Sequence, residues 1–257
     1  MQVELFGLAL AFFLIALLYS SVGFGGGSSY LALLTLVFTS FFVIRSSALL
    51  CNLVVVSGSS FLYYRKGHLK LKKFLPFLIT SIPLAFVGAT FRLNEKVFFI
   101  LLGTSLICSA IALIIQTLQL KSEIQIKKYP NYLPYVLGGA IGLLSGLVGI
   151  GGGIFLAPIL NHLKWEKPIV IAALASFFIL VNSVSGTVGL LTAGTFEVPL
   201  PELFILIAAV LLGGQIGVRL SLGKLTGKTI RYVTAVLVFV VGFKVLLTNG
   251  LQISFFV

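Results

Sequence analysis

Aspartate is absent from these 257 residues, and the acids are six glutamates. Histidine and cysteine occur twice each, methionine and tryptophan once. His68 and His162 lie far apart in sequence with few carboxylates near them, so no metal cluster is expected. Cys51 and Cys108 both fall inside apolar runs, which argues against a disulfide framework or a thiolate site. No Ser-His-acid constellation is evident either, so the reading is of a non-enzyme with no cofactor. Charge of both signs is scarce: 9% of the residues are Asp, Glu, Lys or Arg, where soluble domains carry roughly 25%. With 59% hydrophobic residues, such a chain cannot clothe itself in a water-soluble surface. The expectation is an all-α polytopic membrane protein.

What is present is a series of apolar runs. They cover roughly 4–22, 28–44, 46–64, 74–91 and 97–120, then 132–148, 154–163, 168–191, 201–219 and 229–248. The first run lacks a basic leader and an Ala-x-Ala site, so it reads as a retained helix. Two glycine-rich breaks interrupt the runs. One is Ser20-Ser21-Val22-Gly23-Phe24-Gly25-Gly26-Gly27-Ser28, and the other is Ser145-Gly146-Leu147-Val148-Gly149-Ile150-Gly151-Gly152-Gly153. Gly23 maps onto Gly149 at an offset of 126, and Gly25, Gly26 and Gly27 follow onto Gly151, Gly152 and Gly153. Gly67 maps onto Gly194 and Arg92-Leu93 onto Arg219-Leu220 at 127, while Asn52 pairs with Asn182 only at 130. The chain therefore reads as one transporter domain. Repeat one spans about 1–120, repeat two about 130–250, and a basic linker about 121–130.

The net charge of +12 is read by position and is not taken as a nucleic-acid footprint. Most of the basic residues cluster in four places. These are Arg65 to Lys73, Lys121 to Lys128, Lys164 with Lys167, and Arg219 to Arg231. Placing these in the cytoplasm satisfies the positive-inside rule. It also makes the first half start outside and the second half inside, an inverted-topology repeat, with both termini outside the cytoplasm. Arg45, Arg92 and Lys96 then fall on the outer side. The run 154–163 is about 15 Å as a helix, half of a bilayer core, so its glycine turn is expected near the midplane. The run 28–44 reads as long enough to cross.

Backbone groups freed by such a break must be buried in protein or line a wet cavity. Successive glycine amides can cradle an anion, and a helix starting after the turn adds positive dipole. The candidate substrate-binding residues are thus Ser20, Ser21, Gly23, Gly25, Gly26, Gly27, Ser28 and Asn52, with Ser145, Gly149, Gly151, Gly152, Gly153, Asn182 and Ser183. Close helix packing by small residues, and asparagine as interhelical glue, are the competing readings. Neither break continues into Gly-Lys-Ser/Thr or a dinucleotide-binding context.

The stretch Ser21 to Tyr30, followed by Ala48-Leu49-Leu50-Cys51-Asn52, resembles the first half of TauE/SafE-type sulfite exporters. Ser145 to Pro158 and Phe178-Ile179-Leu180-Val181-Asn182-Ser183 resemble the second half. The resemblance implies a bacterial or archaeal inner-membrane permease for sulfite, sulfonates, sulfoacetate or related sulfur-containing anions. Its partners are then a small anion and the lipid bilayer, and a homo-oligomer stays open. No acid sits in the middle of an apolar run, so no carboxylate proton relay is visible. The expected mechanism is alternating access. An anion channel, an uptake carrier for another small anion and a non-transporting scaffold are the alternatives.

Overall fold

The structure, a computed structural model, describes residues 2–35, 37–38, 40–118, 126–127, 129–222 and 228–251. Every regular element among them is helical. The first half holds α1 (Gln2–Ser21), α2 (Gly27–Leu34), α3 (Phe41–Arg65), α4 (Leu71–Thr90) and α5 (Glu95–Leu118). The second holds α6 (Leu133–Val148), α7 (Gly153–His162), α8 (Pro168–Thr192), α9 (Leu200–Leu222) and α10 (Lys228–Lys244), which runs into a π-helical turn, Val245–Gly250. Six helices are apolar and long enough to cross a bilayer: α3, α4, α5, α8, α9 and α10 with its π turn. The chain is an all-α polytopic membrane protein. Most of the linker 121–130 lies outside the described residues, as does Lys224.

One expected segment is corrected. The run 28–44 is not a crossing helix, because α2 ends at Leu34 and α3 begins at Phe41. Hydroxyl residues stand at both ends of the interruption. The Thr35 hydroxyl donates back to the Ala32 carbonyl at 2.7 Å, and the Ser40 side chain caps α3 by accepting from the Val43 amide at 3.5 Å. At eight residues, α2 is about 12 Å long. Like α7 with its ten, it is too short to cross.

The packing pairs recur when the halves are exchanged. α1 lies on α9 and α6 on α4; α3 packs on α9 and α8 on α4; α2 sits on α3 and α7 on α8. Glycines permit the closest of these approaches. Gly138, Gly142 and Gly146 of α6 face Phe77, Ser81 and Ala85 of α4 in rising order, so the two helices run parallel. Gly213 and Gly217 of α9 face Phe13 and Leu17 of α1 in the same sense. The ends of α3 and α8 also match. Gly67 (φ 70°) and Gly194 (φ 64°) close them in the left-handed conformation. The His68 amide donates to the Tyr63 carbonyl and the Thr195 amide to the Leu190 carbonyl, each at 3.0 Å.

Hydrogen bonds sort the loops into two groups. In the first, Lys70 and Lys73 reach Glu166 at 3.3 and 2.6 Å. The Lys127 amide donates to the Lys164 carbonyl at 3.2 Å, and the Tyr129 hydroxyl to the Leu163 carbonyl at 2.7 Å. The start of α6 and the end of α7 therefore lie together, and the chain between them turns back at the second glycine break. In the second group, the Ser40 hydroxyl donates to the Glu197 carboxylate at 3.2 Å. The Glu197 amide donates to the Ser46 hydroxyl at 3.2 Å, and Arg92 to the Ala193 carbonyl at 2.7 Å.

Glu166 is 3% exposed. Burial pushes its carboxyl up, but the bonds from Lys73, the Lys167 amide and Lys70 outweigh that and hold it below the ordinary carboxylate value. A lowered folded-state pKa contributes stability that is full above the unfolded pKa and lost as pH falls through the folded one. Melting of the purified protein should therefore fall on acidification below the ordinary carboxylate range. Glu166→Gln should flatten that part of the profile.

The two glycine breaks meet at Asn52

Both breaks turn in the left-handed region. Gly23 and Gly26 have φ of 90° and 91°, and Gly149, Gly151 and Gly152 have 78°, 76° and 78°. A side chain there would be strained, which is why the sequence spends glycine at these places. Gly26 and Gly152 are the N-cap residues of α2 and α7, and neither, being glycine, caps its own helix with a side chain. The amides of Gly25, Gly26, Gly151 and Gly152 donate no hydrogen bond to the described residues. Each break thus presents free backbone donors beside the positive end of a short helix.

Asn52 joins the two. It is fully buried on α3, near the middle of that 25-residue helix. Its amide oxygen accepts from the Gly27 amide of the first break at 3.3 Å. Its amide nitrogen donates to the Ile150 carbonyl of the second break at 3.3 Å and lies 3.4 Å from the Ser183 hydroxyl on α8. Gly25 and Gly151 leave room for it. A Cβ on Gly25 would lie 2.8 Å from the Asn52 Cγ, and one on Gly151 would lie 3.0 Å from both Asn52 Nδ2 and Ser183 Oγ.

Each break is also held by the long helix of the other half. The Ser176 hydroxyl of α8 donates to the Gly23 carbonyl at 3.0 Å. Arg45 of α3 donates through Nη2 to the Gly146 and Leu147 carbonyls, at 2.6 and 3.1 Å. These are orphan acceptors at the C-terminus of α6. Sequence reasoning missed both residues, and it placed Arg45 on the outer side. Arg45 is 3% exposed and sits on α3, in line with Asn52 seven residues on. The available signal was Ser40: read as an N-cap, it starts a helix at Phe41 and carries Arg45 inside.

Among the expected residues, Gly25, Gly27, Asn52, Gly151 and Ser183 come together around the Asn52 amide. Gly23 lies against Ala172, Gly149 against Arg45, and Gly153 against Ile179. Gly152 lies against Ser145, whose hydroxyl is buried without a partner. Ser20 donates to the Ala16 carbonyl of its own helix and to the Gly214 carbonyl, and Ser21 to the Leu18 carbonyl. Ser28 is buried in the first turn of α2.

The pairing of Asn52 with Asn182 is corrected. Contacts to equivalent glycines match Arg45 with Ala172, Asn52 with Ile179 and Val56 with Ser183, all at an offset of 127. Asn182 lies three residues further along α8, buried, and neither of its amide atoms has a hydrogen-bond partner. The backbone of the site is thus doubled, while its side chains differ between the halves.

Broken helices meeting at a buried polar centre, inside an all-helical membrane chain, define a membrane transporter. The chain belongs to the sulfite exporter TauE/SafE family, whose profile matches residues 8–245. It is 34% identical over 251 residues to a probable membrane transporter protein, y4hK, of Sinorhizobium fredii, covering 96% of this chain and 100% of that one. It is 26% identical over 249 residues to the probable membrane transporter protein YunE of Bacillus subtilis, covering 87% and 90%. A probable membrane transporter protein of Haemophilus influenzae is 28% identical over 179 residues, 66% of each chain. No solved structure matches. The family and these relatives mark a transporter and not an enzyme.

Proposed function

We propose that the chain exports small sulfur-containing anions, of the sulfite, sulfonate or sulfoacetate kind, with its two halves rocking about the glycine breaks. The observation that carries this reading is the Asn52 amide, bonded at once to the Gly27 amide and the Ile150 carbonyl. It makes one centre of two breaks whose free amides suit an anion. The sulfur chemistry rests on the family description.

The halves are proposed to be inverted across the membrane. Parallel packing of α1 on α9 and of α6 on α4 supports this. So does the grouping of loops, because the first break returns towards Ser40 and Glu197 and the second towards Tyr129 and Leu163. The group with Lys70, Lys73 and Lys127 is assigned to the cytoplasm of an inner membrane, leaving both termini outside. An anion leaving a negative-inside cell gains about 2.3 kcal/mol per charge per 100 mV, so export needs no coupling ion. In proteoliposomes the account predicts saturable sulfite flux accelerated by sulfite on the far side. Single-channel currents would contradict it and favour a channel.

A further inference from the structure

Arg45 has more capacity than its helix-capping bonds use. It and Glu166 are the charged side chains buried among the described residues. Glu166 is neutralised by Lys70 and Lys73, whereas Arg45 meets no carboxylate among the described residues. Its hydrogen-bond partners are two carbonyls, both taken by Nη2; the guanidinium also lies over the Phe98 ring, 6.0 Å from its centroid, and its Nε is buried with no hydrogen-bond partner. An ionisable group inside a membrane protein is costly and ordinarily paired. Here, at the edge of the second break and with its side chain against Gly149, the positive charge faces carbonyls and the Phe98 ring but no anion among the described residues. Asn52 lies seven residues along α3, two turns on the same face and about 10 Å away along the axis. Both side chains reach the second break, Arg45 at Gly146 and Leu147 and Asn52 at Ile150. Arg45 is the nearer of the two to Ser40 and the loop group around Glu197.

We infer that Arg45 is the counter-charge of the permeating anion. It forms a subsite two turns from Asn52, towards the Glu197 loops, where a monoanionic oxyacid group takes the free Nε–H. This rests on the anion-permease reading. It assigns charge selectivity to one side chain of the first half, since Ala172 stands in the equivalent place. The amides at the breaks then select for shape, and Arg45 selects for charge.

The test compares methanesulfonate with dimethyl sulfone, its neutral near-isostere, in proteoliposomes carrying wild type, Arg45→Gln or Arg45→Lys. Wild type should take methanesulfonate and exclude the sulfone. Arg45→Gln should raise the KM for methanesulfonate about tenfold or more, as loss of a charge-assisted bond does, and should lose the discrimination. Arg45→Lys keeps the charge without the fork. It should keep the discrimination at a raised KM, so it tests the inference even where the Gln variant fails to fold. A Gln variant that melts lower yet keeps KM and discrimination would reduce Arg45 to a helix cap and overturn the inference. A Lys variant that folds and loses discrimination would also overturn it. If wild type carries sulfate or chloride but no sulfur oxyanion below sulfate, the substrate proposal fails, and the Arg45 comparison is read on the anion that moves. A protein that moves no anion overturns both.

Discussion

Gly25→Ala and Gly151→Ala are each expected to abolish most sulfite flux while leaving the membrane fold in place. The added methyl at Gly25 would lie 2.8 Å from the Asn52 Cγ and 2.9 Å from the Val56 Cγ1. At Gly151 it would lie 3.0 Å from both Asn52 Nδ2 and Ser183 Oγ, on a backbone held at φ 76°. Both changes push on the side chain that joins the breaks, and the one at Gly151 also runs into Ile179, its nearest neighbour. Overpacking a well-filled interior costs about 1–3 kcal/mol, equivalent to about five- to 150-fold in an equilibrium. Gly67→Ala is the matched control. Gly67 also has positive φ, 70°, but nothing lies within 4 Å of the position its Cβ would take. That variant should lose some stability through a strained helix cap and keep its flux. Transport in proteoliposomes, normalised to folded protein by size exclusion, separates the cases.

The second large effect is at Asn52. Asn52→Leu removes both halves of the bridge and leaves the Gly27 amide and Ile150 carbonyl buried without it. Each unsatisfied group costs about 1–3 kcal/mol, so melting should drop markedly and flux should vanish. Asn52→Asp is the sharper variant. Its carboxylate still accepts from Gly27, but it cannot donate to Ile150, and it puts negative charge where the anion is proposed to sit. Flux in Asn52→Asp should be lost more completely than stability. A variant that melts like wild type and still transports sulfite would remove Asn52 from the site.

The backbone of this fold was legible in the sequence because glycine is demanded by conformation. Gly23, Gly26, Gly149 and Gly152 are needed at positive φ, so the two halves keep them at matching places. Gly67 and Gly194 are matched for the same reason, as ends of α3 and α8. Side-chain chemistry followed no such rule. Asn52 does its work once, for both breaks, and its equivalent is the apolar Ile179. A search for paired polar residues therefore settled on Asn182, three residues away. Arg45 was hidden by hydropathy. The apolar run 28–44 reads continuously through the six residues separating α2 from α3, and only the Ser40 cap marks where the second helix starts. Part of the loop grouping, by contrast, followed from charge, since three of the four basic stretches, at Lys70, Lys127 and Lys164, come together.

Binding stoichiometry tests most directly whether the two breaks form a single anion site. Titration of sulfite into the purified protein should show one site per chain, abolished by Gly25→Ala and equally by Gly151→Ala. Two sites per chain, with each substitution removing one and sparing the other, would show two independent breaks and contradict the account.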